Sequence, residues 1–318
     1  MKVGILTING FNCGSFLQAF ALKKAIEELN HEAHIINTMK ISNFINTIID
    51  PNPFSSFELK KAFNFVSEWK KQKVTSRVHG YDVIVIGSDV VWRDTSDTKL
   101  SNMFYANNIS ADKIIAYAPC CDKTTYSDLD QKKKEGIRRI DFLSARDDNT
   151  AELIEKITGE KPRIVLDPAF LIDWRIYEVA SNINNFVLVY SYAKGYKKNY
   201  RDLVIQAKHI ALNTNKKIIH AMKNESWCDI CIPAKPFEFL GLIRSSDFVF
   251  TESFHGTVFS LLYKKPFASF PRSHKVEHLL DLFGIKKNTV FSDHSKIELN
   301  LKQKITDSKA FLKNALKD

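Results

Sequence analysis

The segment Thr251-Glu252-Ser253-Phe254-His255-Gly256-Thr257 places a histidine, the side chain that exchanges protons near neutral pH, among hydroxyls at the start of an apolar helical run. Backbone N–H groups and the helix dipole at such a turn can meet an anion, which makes His255 the best general acid in the chain. The alternative is a helix capped by Ser253 or Thr251, with His255 packed as a structural hydrogen-bonder. A second polar turn, Gly87-Ser88-Asp89-Val90-Val91-Trp92-Arg93, can cap a helix, bind a phosphate or bind a hydroxylated ligand. Arg146-Asp147 can grip a carboxylate or phosphate bidentately, although a surface ion pair is the favoured reading in isolation. Cys228-Asp229-Ile230-Cys231 has the spacing of zinc and redox sites, yet no second pair accompanies it, so structural cysteines and no bound metal are expected.

These turns need elements to hold them. Met1–Ile8 reads as an apolar strand that opens into Asn9–Ser15, and Phe16–Leu29 then repeats apolar residues at helical spacing. Ala33–Ile36 completes a βαβ unit, and a helix from Phe57 to about Val74 leads to Tyr81–Gly87, a continuous apolar run of the kind buried in parallel sheets. Strands at Lys113–Tyr117, Phe142–Ala145 and Arg163–Leu166 alternate with helices near Asp130–Ile140 and Asp147–Thr158. After Asp167-Pro168 a fresh series begins, with strands at Asn185–Ser191, Lys216–His220, Asp247–Phe250 and Pro266–Phe270 separated by helices, and it ends in an amphipathic helix over Ser295–Leu316.

Alternation of this kind predicts an α/β protein of two Rossmann-like, doubly wound domains facing a cleft, each with its own core. The expected divisions are 1–173, 174–295, which carries His255, and 296–318, a helix packing back on the first domain. In such sheets ligands bind at the carboxyl ends of the strands, where the turns above fall.

With 318 residues, 44% hydrophobic, the chain has ample material for packed cores, and its 46 basic against 36 acidic residues leave a net charge of +10. That charge favours anionic partners, so peripheral contact with an anionic membrane is expected. The basic residues are not interleaved with aromatics, and nucleic acid is not an expected partner. The apolar run near the start stops at Asn9-Gly10, and no stretch of about 18 apolar residues occurs, so a cytoplasmic, non-spanning protein is expected. Walker A, G-x-G-x-x-G, H-E-x-x-H and G-x-S-x-G strings are missing, which removes several common hydrolase and dinucleotide readings.

Read in order, Asn12-Cys13-Gly14-Ser15-Phe16-Leu17-Gln18-Ala19-Phe20-Ala21-Leu22, Gly87-Ser88-Asp89-Val90-Val91-Trp92, Ser144-Ala145-Arg146-Asp147, Leu166-Asp167-Pro168-Ala169-Phe170-Leu171 and Thr251–Ser260 resemble the polysaccharide pyruvyl transferase family. The resemblance implies a GT-B-like fold and transfer of the pyruvate unit of phosphoenolpyruvate onto a sugar, free or lipid-linked, as a cyclic ketal, with no cofactor. It assigns catalysis to His255, Arg146 and Lys275, and substrate contacts to Asn12, Gly14, Ser15, Ser88, Asp89, Glu252, Ser253, Gly256 and Thr257. Arg146 and Lys275 would neutralise the donor's two anionic groups, and His255 would supply and then recover a proton. The chain departs from better-known members at Ser253, where they carry Arg, and at Val90, where they carry Gln. A nucleotide-sugar glycosyltransferase of the same fold and a non-catalytic module for anionic saccharides are the competing readings.

Overall fold

A computed structural model describes residues 1–38, 56–93, 99–192 and 198–317. In its first half β1 (Lys2–Leu6), α1 (Cys13–Glu27), β2 (Glu32–Ile36), α2 (Ser56–Lys71), β3 (Val83–Ile86), α3 (Lys99–Phe104), β4 (Lys113–Ala116), α4 (Gln131–Arg138), β5 (Phe142–Ala145), α5 (Asp148–Thr158) and β6 (Arg163–Ile164) follow one another. In the second come β7 (Phe186–Tyr190), α6 (Lys198–Asn213), β8 (Lys217–Ala221), β9 (Ile230–Ile232), α7 (Pro236–Ser245), β10 (Phe248–Thr251), α8 (Phe254–Leu262), β11 (Phe267–Ser269), α9 (His274–Leu282), β12 (Val290–Phe291) and α10 (Ser295–Ala315).

The strands form two six-stranded sheets, ordered β2-β1-β3-β4-β5-β6 and β12-β11-β10-β7-β8-β9. Pairing is parallel throughout except between β11 and β12. Strands β9 and β12 and the short helix α3 escaped the sequence reading, because two or three residues of strand, or one and a half turns of helix, carry too little periodicity. In the first sheet the chain steps from β1 outward to β2 and then returns to β3 on the other side, so the order reverses between β1 and β3. The second sheet reverses in the same way between β7 and β10. A crevice opens beyond the carboxyl ends of the strands at such a reversal, and the four turns leaving β1, β3, β7 and β10 border it.

The two sheets do not keep separate cores as expected. The largest apolar cluster runs from Val3, Phe16 and Phe20 of the first half to Phe239, Phe259 and Leu280 of the second. Its seam is aromatic: Phe16 and Phe20 meet Phe237 at ring distances of 5.6 and 5.1 Å, and Trp174 meets Phe259 at 5.2 Å. The cause lies in α1, which is apolar nearly all round and buried from Cys13 through Leu22, so it must be covered from both sides. Helix α10 also joins the halves. Glu298 near its start pairs with Lys264 at 3.2 Å, while Phe311 stands 6.1 Å from the Tyr117 ring and Ser308 Oγ accepts from the Leu166 N–H at 2.9 Å.

Local chemistry sets each turn at the site. Asn12 caps α1 by accepting the Ser15 N–H at 2.8 Å. Gly87 adopts a φ of +119°, and a Cβ there would lie 2.2 Å from the Tyr117 carbonyl, so only glycine lets β3 end against β4. Asp147 does not pair with Arg146. It caps α5, accepting the Thr150 N–H at 3.0 Å, and thereby leaves Arg146 to point elsewhere.

Candidate active site

Asp167 is the hub of the site. Its Oδ2 accepts from Arg146 Nη1 at 3.0 Å and from Ser88 Oγ at 3.1 Å, and its Oδ1 lies 3.6 Å from His255 Nε2. The surface ion pair favoured for Arg146 is overturned: its side chain is 2% exposed and its guanidinium lies over the Phe254 ring at 4.6 Å. Residues from β3, β5, the link after β6 and α8 therefore converge, drawing on both halves of the chain.

Above this group opens a cavity of about 500 Å³, lined by Asn12, Ser15, Asp89, Glu252, Ser253, His255 and Lys275 among others. Asp89, at a left-handed φ of +70°, turns its carboxylate inward to meet Lys275 Nζ at 3.4 Å and Arg146 Nη2 at 3.7 Å, and it accepts from Ser15 Oγ at 3.3 Å. Burial alone would push this carboxyl up, but Lys275, Arg146 and His255 hold it well below the usual range. The same contest at Asp167, burial against His255 and Arg146, ends at about 2. Arg146 is displaced further upward, its burial penalty outweighed by Cys120 and by Asp167, Asp89 and Asp147.

The other predicted contacts divide in two. Ser88, Gly256 and Thr257 are buried and do not line the cavity. Ser88 bonds Asp167 and the Ala118 carbonyl, while Thr257 bonds Ser253 O and Ser269 Oγ. A Cβ on Gly256 would strike Thr251 Oγ1 at 2.2 Å, so its smallness serves packing on β10. Glu252 does face the cavity, but its Oε1 already accepts from the Tyr192 N–H at 3.1 Å and stands 3.3 Å from Arg272 Nη1. The helix-cap reading of the turn fails for Ser253, whose hydroxyl makes no capping bond. Thr251 Oγ1 instead accepts the Ser253 N–H at 3.0 Å.

Gly14 touches the catalytic candidate directly. A Cβ there would fall 2.2 Å from His255 Nδ1, so α1 can back the imidazole only with glycine at this position. Alanine is otherwise the better helix former by about 1 kcal/mol. Gly14→Ala is therefore expected to keep the fold and lower turnover about 10²-fold by shifting the ring. Activity of wild-type speed in the variant, measured beside its unfolding midpoint, would remove the positioning role of α1.

Sequence reasoning overlooked Asp167, quoted only within a string and as a linker residue, and also Tyr192 and Arg272. The Asp-Pro pair signals a turn, and Asp167 does accept the Ala169 N–H at 3.0 Å, which hides its second role. The Cys228–Cys231 pair lies elsewhere: Cys231 is in β9, and its Sγ stands 3.3 Å from the Glu225 N–H as acceptor. Among the described residues no group of three or more His, Cys, Asp or Glu could hold a metal ion.

Paired parallel sheets that meet at their switch points define a GT-B-like α/β protein. Solved structures bear this out: a UDP-GlcNAc 2-epimerase of Methanocaldococcus jannaschii (TM-score 0.50, 15% identity, 96% of this chain and 93% of that one) and MnaA of S. aureus with UDP (0.53, 14%, 99% and 90%) share the fold. The UDP-GlcNAc 2-epimerase of Neisseria meningitidis does so too, with a TM-score of 0.52 at 11% identity over 99% of this chain and 94% of that one. No curated protein sequence matches this chain. The family model for polysaccharide pyruvyl transferase matches residues 12–274, and the chain belongs to that family.

Proposed function

We propose that the protein moves the enolpyruvyl unit of phosphoenolpyruvate onto two hydroxyls of one sugar, forming a pyruvate ketal and releasing phosphate. The observation that carries this reading is the buried Asp167, which joins Arg146 at 3.0 Å to His255 at 3.6 Å beneath the cavity that Lys275 lines. A proton carrier facing a fixed carboxylate, with cations beside it, suits a donor that bears two anionic groups and must accept a proton.

In this reading protonated His255 delivers its proton to the methylene carbon of the donor, and the adjacent carbon becomes electrophilic. A sugar hydroxyl adds there and returns its proton to His255. The carbon–oxygen bond to phosphate then breaks, and the second hydroxyl closes the ring while its proton leaves with phosphate. One hydroxyl proton thus ends on the new methyl group and the other on phosphate. Asp167 offers its negative charge to the charged imidazole, and Lys275 and Arg146 offset the donor's charge. Asn12, Ser15 and Asp89, at the ends of β1 and β3, supply hydrogen-bonding groups for a hydroxylated acceptor.

The test is incubation with phosphoenolpyruvate and a panel of lipid-linked and synthetic galactosides, followed by mass measurement and phosphate assay. A mass gain of one ketal-linked pyruvate per phosphate released is expected. Turnover only with a nucleotide sugar would replace this reading.

The acceptor is proposed to be membrane-held, on the strength of the net charge of +10 and of a fold in which no described helix is long and apolar enough to span a bilayer. Binding to anionic vesicles should be measurable at low ionic strength and fade with salt. Equal, negligible association at all salt concentrations would favour an acceptor in solution.

A further inference from the structure

Among the described residues, the basic side chains at the cavity other than the exposed Lys123 each meet a carboxylate. Arg146 has Asp167 and Asp89, Lys275 has Asp89 at 3.4 Å, Arg93 has Asp122 at 2.7 Å, and Arg272 has Glu252 at 3.3 Å. Lys123 is a point charge on a flexible stem, so a two-point grip on an incoming phosphate needs a guanidinium that can leave its partner cheaply. Arg146 cannot, because it is buried against the Phe254 ring and pairs two carboxylates, Asp167 and Asp89, at once. Lys275 shares Asp89 with Arg146. Arg93 is held by Asp122 at 2.7 Å, the length of a full charged hydrogen bond.

Arg272 differs on each count. Its side chain is 48% exposed, and it holds Glu252 through one nitrogen at a distance beyond a good charged hydrogen bond. When it swings away, Glu252 keeps the Tyr192 N–H at 3.1 Å, so no buried carboxylate is left bare. Glu252 also adjoins Ser253, which brings a hydroxyl and no charge to the cavity. The next residue, Ser273, is the N-cap of the nine-residue α9, its hydroxyl makes no capping bond, and it lines the same cavity.

The geometry points to Arg272 as the clamp for the donor's phosphate, paired with Glu252 until the donor binds and then exchanged onto the phosphoryl oxygens. This inference rests on the proposed pyruvyl transfer and assigns one end of its donor. A guanidinium suits the task because its fork can take two phosphate oxygens at once.

Binding of inorganic phosphate, phosphoenolpyruvate and pyruvate to the full chain, read by calorimetry, tests it. Arg272→Ala should weaken phosphate and phosphoenolpyruvate roughly 10- to 100-fold, the worth of a charged hydrogen bond, and leave pyruvate, which has no phosphate, unchanged. Arg272→Lys should recover part of the loss. Glu252→Gln should tighten phosphate, since the guanidinium then leaves a neutral amide. Unchanged phosphate affinity in Arg272→Ala, or equal weakening of phosphate and pyruvate, would overturn the assignment while leaving the proposed transfer standing. Wild-type protein that binds neither phosphate nor phosphoenolpyruvate would sink the donor reading, and the role of Arg272 with it.

Discussion

His255→Gln is expected to lower kcat/KM for ketal formation by about 10²–10⁴-fold, the usual contribution of a positioned proton carrier. Glutamine keeps a polar planar group of similar reach but cannot carry the proton. The side chain is only 6% exposed, packed against Gly14 and beside Phe254 at a ring distance of 5.2 Å. The imidazole is thus part of the packing, and His255→Ala would open a gap as well as remove the acid. The glutamine variant separates the two effects. Phosphate release and product mass, measured with an unfolding curve, decide: near-full turnover in a normally folded variant would return His255 to a structural part.

Arg146→Ala is expected to destabilise the protein by about 3–5 kcal/mol, the cost of removing one partner from a buried ion pair. On sequence grounds the same substitution predicts chiefly a raised donor KM. The difference comes from burial, since the variant takes one cation from Asp89 at the cavity and one from Asp167, whose side chain water does not reach. The pH dependence follows from Asp167, whose carboxyl is lowered from 3.8 to about 2 in the fold. A group depressed in this way stabilises fully above its unfolded value and loses that contribution as pH falls through the folded one. Wild-type stability from this group should accordingly drain between about pH 4 and pH 2. Without Arg146 the folded carboxyl is depressed less, so its contribution is smaller and the acid-unfolding midpoint is expected at higher pH. Denaturation curves that superimpose for the two proteins at neutral and acid pH would show that Arg146 is not the counter-charge of this network.

How far the site could be read in advance depended on the range of the interactions that make it. Strand-turn-helix units are local: the apolar run Val83–Ile86 has to be a buried strand, and the polar turns at Asn9–Ser15, Gly87–Asp89 and Thr251–Thr257 have to fall at strand ends, because periodicity and turn chemistry act over a few residues. His255 as a proton carrier at a strand end and the two sheets are legible for that reason, whereas Lys275 enters only through the family resemblance and Arg146 on its own reads as a surface ion pair. Their relations were not. Asp167 lies 88 positions from His255 and 21 from Arg146 in the sequence, and nothing in an Asp-Pro turn announces that its carboxylate will bind both. Likewise the glycine of α1 looks like a turn residue until α8 is laid against it and His255 fills the space a methyl group would need. The joined core has the same origin, for α1 shows its apolar faces plainly in its residues, whereas which sheet covers each face is a matter of how distant segments pack. The amino-acid order by itself determined the elements and the chemistry available at their ends. Only the tertiary structure decided which of those groups are buried together and which carboxylate each cation holds, because charge pairing and desolvation depend on distances between segments far apart in the chain.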